Sequence, residues 1–193
     1  MMMLLSNRFL DFIKDFSRAP FYSRIPYFSM LFIKDKIKMI KKVEYAMSFS
    51  LLVYMLGSFS IYFFSGPILN IINPEFPEFN RMYWLLLCFA FFIERYSSMH
   101  IQFYALSNRI HYHWINILVS GTIIAFIFLF GTNLLLTYPK ALLIAFIGIY
   151  FWLSLYFSSR KFKLKILRLD FIVFLFICIM FCLSMYSQYV KVN

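Results

Sequence analysis

The sequence predicts an all-α fold: a polytopic transmembrane bundle of about five helices behind an N-terminal amphipathic cytoplasmic segment. Three observations carry that expectation. Of the 193 residues, 63% are hydrophobic and only 14% charged, whereas soluble domains have roughly a quarter of their residues charged. With so few polar side chains to cover a globule, apolar surface must meet lipid, and a mean hydropathy of +0.77 agrees. The apolar residues also gather in runs near the length of about 20 helical residues that crosses a hydrocarbon core of about 30 Å. Finally, the cations behind the net charge of +11 fall mainly in two blocks, 8–42 and 160–168, that flank the apolar runs. Cytoplasmic loops beside anionic lipid have that pattern, and it argues against nucleic acid as a partner.

Residues 1–45 form the basic amphipathic segment. In LLSNRFLDFIKDFSR, the apolar Leu5, Phe9, Phe12, Ile13 and Phe16 recur at helical spacing, with Asn7, Arg8, Asp11, Lys14 and Asp15 mostly between them. This reads as a helix lying in the membrane interface; the same residues also fit the end of a further transmembrane helix. Pro20 and Pro26 interrupt it, and MLFIKDKIKMIKK follows as a second basic amphipathic piece. Residues 1–18 lack the continuous apolar stretch and cleavage site of a signal peptide.

Residues 46–193 hold the expected spans, at about 46–65, 82–108, 114–132, 139–157 and 170–190. Between the first two, GPILNIINPEFPEFNR (66–81), with three prolines, reads as a solvated external loop. With the N-terminus inside, residues 1–45, Arg109 and residues 158–169 put fifteen Lys and Arg on the cytoplasmic side, against Arg81, Lys140 and Lys191 outside. That bias sets the orientation and places the C-terminus on the periplasmic or extracellular side. Cys88, Cys178 and Cys182 lie within apolar runs and form no C-x-x-C pair, so they read as apolar filler.

The second span changes character as it proceeds, from hydrocarbon to FFIERYSSMHIQFY at 91–104. Glu94 lies ten residues after Trp84, about 15 Å along the axis and near the bilayer midplane. A charge at that depth costs about 2.5–3.5 kcal/mol on insertion scales. At about 100° per residue, Glu94, Ser97, Ser98, Gln102 and Asn108 share a face, with Arg95 at its border and His100, Tyr104 and Ser107 on the other flank. Tyr96, Met99, Phe103 and Leu106 remain for lipid or a neighbouring helix. So wide a polar surface must line a watery cavity or pair with other helices. Glu94, Arg95, Ser98, His100, Gln102 and Asn108 are therefore the candidate substrate or ion pathway. Glu94 suits a proton or a cation, and Arg95 an anionic group such as pyrophosphate. The alternatives are a structural polar network, or a helix that leaves the membrane early with Arg95 snorkelling.

His111 and His113 beside Trp114 read as an interfacial belt, since two histidines without a nearby cysteine or carboxylate make a poor metal site. No Walker loop, nucleophile elbow or H-E-x-x-H motif is present, and no catalytic residue, metal or cofactor is expected.

Residues 91–121, FFIERYSSMHIQFYALSNRIHYHWINILVSG, resemble the polysaccharide-biosynthesis and O-antigen flippases of the multidrug/oligosaccharidyl-lipid/polysaccharide exporter superfamily. Glu94 and Arg95 carry the resemblance with Met99, His100, Gln102, Tyr104, Asn108, the H-W-I-N run at 113–116 and Gly121. Residues 17–42 are similar to the loop entering that family's ninth helix, and 138–163 to its twelfth helix and exit. The resemblance implies the carboxy-terminal half of a transporter that moves a polyprenyl-diphosphate-linked oligosaccharide across the bacterial inner membrane. It also implies that the cavity is completed by a missing N-terminal half or by self-association. Two other classes stay open: a membrane-embedded polymerase or acyltransferase of the same pathway, and a non-functional remnant of a transporter.

Overall fold

The computed structural model describes residues 2–72, 81–107, 112–131 and 134–162, together with 172, 175, 176, 178, 179 and 182. Among these, all regular structure is helical. The order is α1 (Met2–Tyr22), α2 (Ile25–Lys34), α3 (Lys36–Ile72), α4 (Arg81–Ala105), α5 (Tyr112–Phe130), α6 (Leu134–Ala145), a π-helical segment (Phe146–Phe151) and α7 (Trp152–Phe162). Among the described residues, three stretches are long and apolar enough to cross a membrane: Lys36–Ser65, His113–Phe130 and Thr137–Arg160. Asn108 and His111, along with most of the expected span at 170–190, lie outside the described residues.

Local chemistry sets the helix boundaries. Pro26 sits in the first turn of α2, where its missing N–H has no intrahelical partner to lose. Asp35 adopts an extended backbone between α2 and α3. Its carboxylate accepts the Lys38 backbone N–H at 2.9 Å, capping the start of α3. Past the expected first span, α3 continues to Ile72. The first half of the presumed external loop is therefore helical, and Pro67 does not end it.

α3 and α4 run antiparallel, locked by buried side chains. The Tyr54 hydroxyl donates to the Cys88 carbonyl at 3.0 Å, and Trp84 Nε1 donates to the Ser58 carbonyl at 3.3 Å. Arg81 lies over the Tyr62 ring at 5.9 Å. The two hydrogen bonds each satisfy a buried side-chain donor that could not otherwise be left dry, and the exposed Arg81 adds a ring contact at the helix start. Along the other side of α4, Phe91 meets Phe146, Tyr96 meets Phe151 and Phe103 meets Phe162. These ascending pairs place the α6–π–α7 rod parallel to α4, with α5 as the return helix. Phe176 stacks on Phe92 at 4.0 Å, bringing a helical residue of the last expected span against the α3–α4 pair.

α1 also belongs to the bundle. It runs antiparallel to α3, with Ser50 Oγ donating to the Ser17 carbonyl. Ile13 lies against Gly57, where an added Cβ would come within 3.0 Å of the isoleucine methyl. Both α3 residues lie inside the expected first span. The face α1 buries is Ser6, Leu10, Ile13, Ser17 and Phe21, with Phe9 half-buried, whereas Phe12 and Phe16 point outward. The expected apolar face was thus partly misplaced. Small and hydroxyl residues allow close helix approach, and that outweighs side-chain hydrophobicity when lipid is the alternative neighbour.

Candidate functional site

Polar residues concentrate on α4, which the bundle surrounds. Arg95, Ser97, His100, Met99 and Phe103 are fully buried, and Tyr96 is nearly so; Glu94, Ser98 and Gln102 are half-buried. The helix is covered along nearly its whole length, and Tyr96, Met99 and Phe103, expected to face lipid or a neighbouring helix, are buried, with Tyr96 against Phe151 and Phe103 against Phe162. Glu94, Arg95, Ser98 and His100 point to separate places, and of the expected pathway residues on α4 only Glu94 lines the cavity described below.

His100 turns to α7, where Nδ1 lies 3.0 Å from Ser158 Oγ, with the Tyr96 ring packed at 4.6 Å. A hydroxyl beside an imidazole is the beginning of a nucleophilic pair. Both groups are fully buried, however, and neither lines the cavity described below. Their geometry is that of an interhelical clasp. Ser98 returns its hydroxyl to the Arg95 carbonyl at 3.0 Å.

Arg95 points toward α1, its guanidinium 5.9 Å from the Tyr22 ring centroid. Glu94, Arg18, Tyr22 and Tyr54 are within its electrostatic reach. Nε, Nη1 and Nη2 have no hydrogen-bond partner among the described residues. A buried guanidinium held only by a ring face and long-range charge is costly in a dry interior.

Glu94 opens into a different space, as the roughly 100° between successive helical residues requires. A cavity of about 320 Å³ lies where α1, α4, α5 and the π segment meet. Glu94 and Phe91 form the α4 wall, and Lys14 and Arg18, one helical turn apart, form the α1 wall. Asn116 and Ser120 contribute from α5 at the same spacing, and Phe146 and Tyr150 from the π segment. π-helical insertions inside α-helices recur at functional sites, and here one supplies two side chains to the cavity wall.

Lys14 Nζ sits 4.1 Å above the Phe91 ring and 2.8 Å from Asp11. Arg18 reaches Asp15 at 3.4 Å. Both aspartates are largely exposed, so these pairs are weak anchors. Glu94 Oε2 is buried and has no hydrogen-bond partner among the described residues. The cavity thus offers one carboxylate to donors, two cations to anions, and neutral hydrogen-bonding groups between them. A ligand carrying both hydroxyls and anionic oxygens matches that set.

Lys14, Arg18, Ser120 and Tyr150 were not among the expected pathway residues, and Asn116 entered only through the resemblance. Their signal was present as two i, i+4 polar pairs, Lys14–Arg18 and Asn116–Ser120. No group of three His, Cys, Asp or Glu side chains among the described residues is placed to hold a metal.

Fold and cavity together give, among the described residues, an all-helical architecture with three helices long and apolar enough to cross a membrane, which suggests a membrane protein with a charged cleft inside its bundle. Comparison with protein-family models, with curated proteins and with solved structures finds no match to this chain.

Proposed function

We propose that this protein takes part in transporting a lipid-linked oligosaccharide, the flipping of a polysaccharide or O-antigen precursor across the bacterial inner membrane. In this reading it acts within a larger transporter or as a self-associated assembly, without covalent chemistry. The supporting observation is the cavity itself: Glu94, Lys14 and Arg18 face a common space between apolar helices. Ionisable groups at membrane depth are costly and mark pathways. A polyprenyl-diphosphate-linked sugar carries both matching chemistries, phosphate oxygens for Lys14 and Arg18 and hydroxyls for Glu94, Asn116 and Ser120. The N-terminus is cytoplasmic in this reading, and α4 is the second of about five spans.

The test is glycan export in cells carrying Glu94→Gln, Arg95→Ala or the Lys14→Gln/Arg18→Gln pair. We expect export to fall by about tenfold or more for Glu94→Gln and the paired variant, as loss of a charge-assisted contact requires. A similar loss is expected for Arg95→Ala, with normal membrane insertion throughout. Unchanged export in all three would sink the pathway assignment.

A further inference from the structure

The junction of α2 and α3 carries a surface that the cavity does not use. Lys34, Lys36, Lys38, Lys41 and Lys42 are all exposed there. The sole acid among them, Asp35, has its carboxylate committed to the α3 cap. Over residues 34–42 the cations outnumber the anion by five to one.

α2 is also apolar on two sides. Phe28 and Leu31 are buried against the bundle, while Tyr27, Met30 and Ile33 point outward. Ile33 is 86% exposed, and Ile37, just past the junction, is 72% exposed. A ten-residue helix extends about 15 Å, too short to cross a bilayer. A short helix with an outward apolar face bordered by lysines fits the boundary between headgroups and acyl chains. Water is a poor solvent for that face, and the hydrocarbon core is a poor one for the lysines.

The surface is held in place. Phe32 packs edge-on against Phe162 at 5.9 Å, and Lys36 Nζ lies 5.7 Å from the same ring. The junction is thereby fixed to the end of α7, at the end of the bundle where α4 finishes. Arg81 stands at the opposite end, at the start of α4.

We propose that the α2–α3 junction is a binding site for anionic phospholipid, with the five lysines on the headgroup phosphates and Met30, Ile33 and Ile37 among the upper acyl carbons. Charge complementarity selects the lipid, and long lysine stems allow their ammonium groups to reach the headgroups while the helix lies deeper. This proposal does not depend on what passes through the cavity.

The test uses the purified full chain in neutral detergent, titrated with fluorescent phosphatidylglycerol and phosphatidylcholine of matched acyl chains. Phosphatidylglycerol should bind about tenfold tighter or better, and the preference should shrink as salt rises. Replacing the five lysines with glutamine should abolish the preference. Replacing them with arginine, which keeps charge without keeping the residue, should retain it, and so should Arg81→Gln at the far end. Equal binding of the two lipids, a preference surviving the glutamine variant, or one lost in the arginine variant or in Arg81→Gln would each overturn the site. So would displacement by a short single-stranded oligonucleotide from a surface that shows no lipid preference.

Discussion

α4 and α5 are neighbours in sequence and opposites in environment. α5 is almost entirely apolar, yet only 11% of its most apolar window is buried inside the protein. α4 holds Arg81, Glu94, Arg95 and His100, misses the apolarity needed to count as a crossing helix, and is buried along nearly its whole length. In a water-soluble protein the assignments would be reversed. When hydrocarbon is the solvent, apolar side chains have nothing to gain by hiding, and the polar helix is the one that must be enclosed.

That contrast can be broken or sharpened experimentally. The largest effect is expected from a pair of phenylalanines. Phe92 on α4 is fully buried against Tyr54 and Phe176, whereas Phe128 on α5 is 88% exposed. Phe92→Ala should destabilise the bundle by about 3–5 kcal/mol, and Phe128→Ala by roughly 0.5 kcal/mol or less. Denaturation in mixed micelles reads both; equal costs would mean that α5 is covered by protein.

Next comes charge tolerance. Ile124→Asp would place a carboxylate on the outward side of α5, where Ile124 is 68% exposed. If that side faces lipid, insertion should become less favourable by about 2.5–3.5 kcal/mol. A glycosylation-reporter insertion assay measures this, and full insertion of the variant would place that side in water or against a polar partner.

The smallest effect concerns the clasp between α4 and α7. A double-mutant cycle with His100→Ala and Ser158→Ala should give a coupling of about 0.6 kcal/mol, the usual size for interhelical hydrogen bonds in membranes. A coupling above about 2 kcal/mol would exceed the normal range for such bonds and point to a role beyond packing.

The helical class and the three strongly apolar crossings were legible in the sequence because length and hydropathy are properties of single segments. The position of α1 was not. Its docking depends on Gly57 leaving room for Ile13 and on Ser50 meeting the Ser17 carbonyl, both pairings between distant segments. The site divides in the same way. Glu94 stood out because a carboxylate amid FFIERY is anomalous on its own terms. Lys14 and Arg18 looked like ordinary charges on an amphipathic helix until α1 was seen packed against α3 with both side chains on the cavity wall. The separation of Glu94 from Arg95 followed from helical geometry alone, whereas the burial of Arg95 against Tyr22 required knowing which helix stood behind it.

The π segment at 146–151 has a consequence for how length variation is read in this region. A π turn accommodates one residue more than the surrounding helix, and removing one rotates everything downstream by about 100°. Within the segment, Phe146 and Tyr150 face the cavity; downstream, Ser158 faces His100. The insertion acts as a phase shifter between two working faces of one rod. A chain one residue shorter there could keep its cavity wall or its clasp in register with α4, but not both, so a single-residue gap at 146–151 marks a change of wiring and not a neutral loss of length.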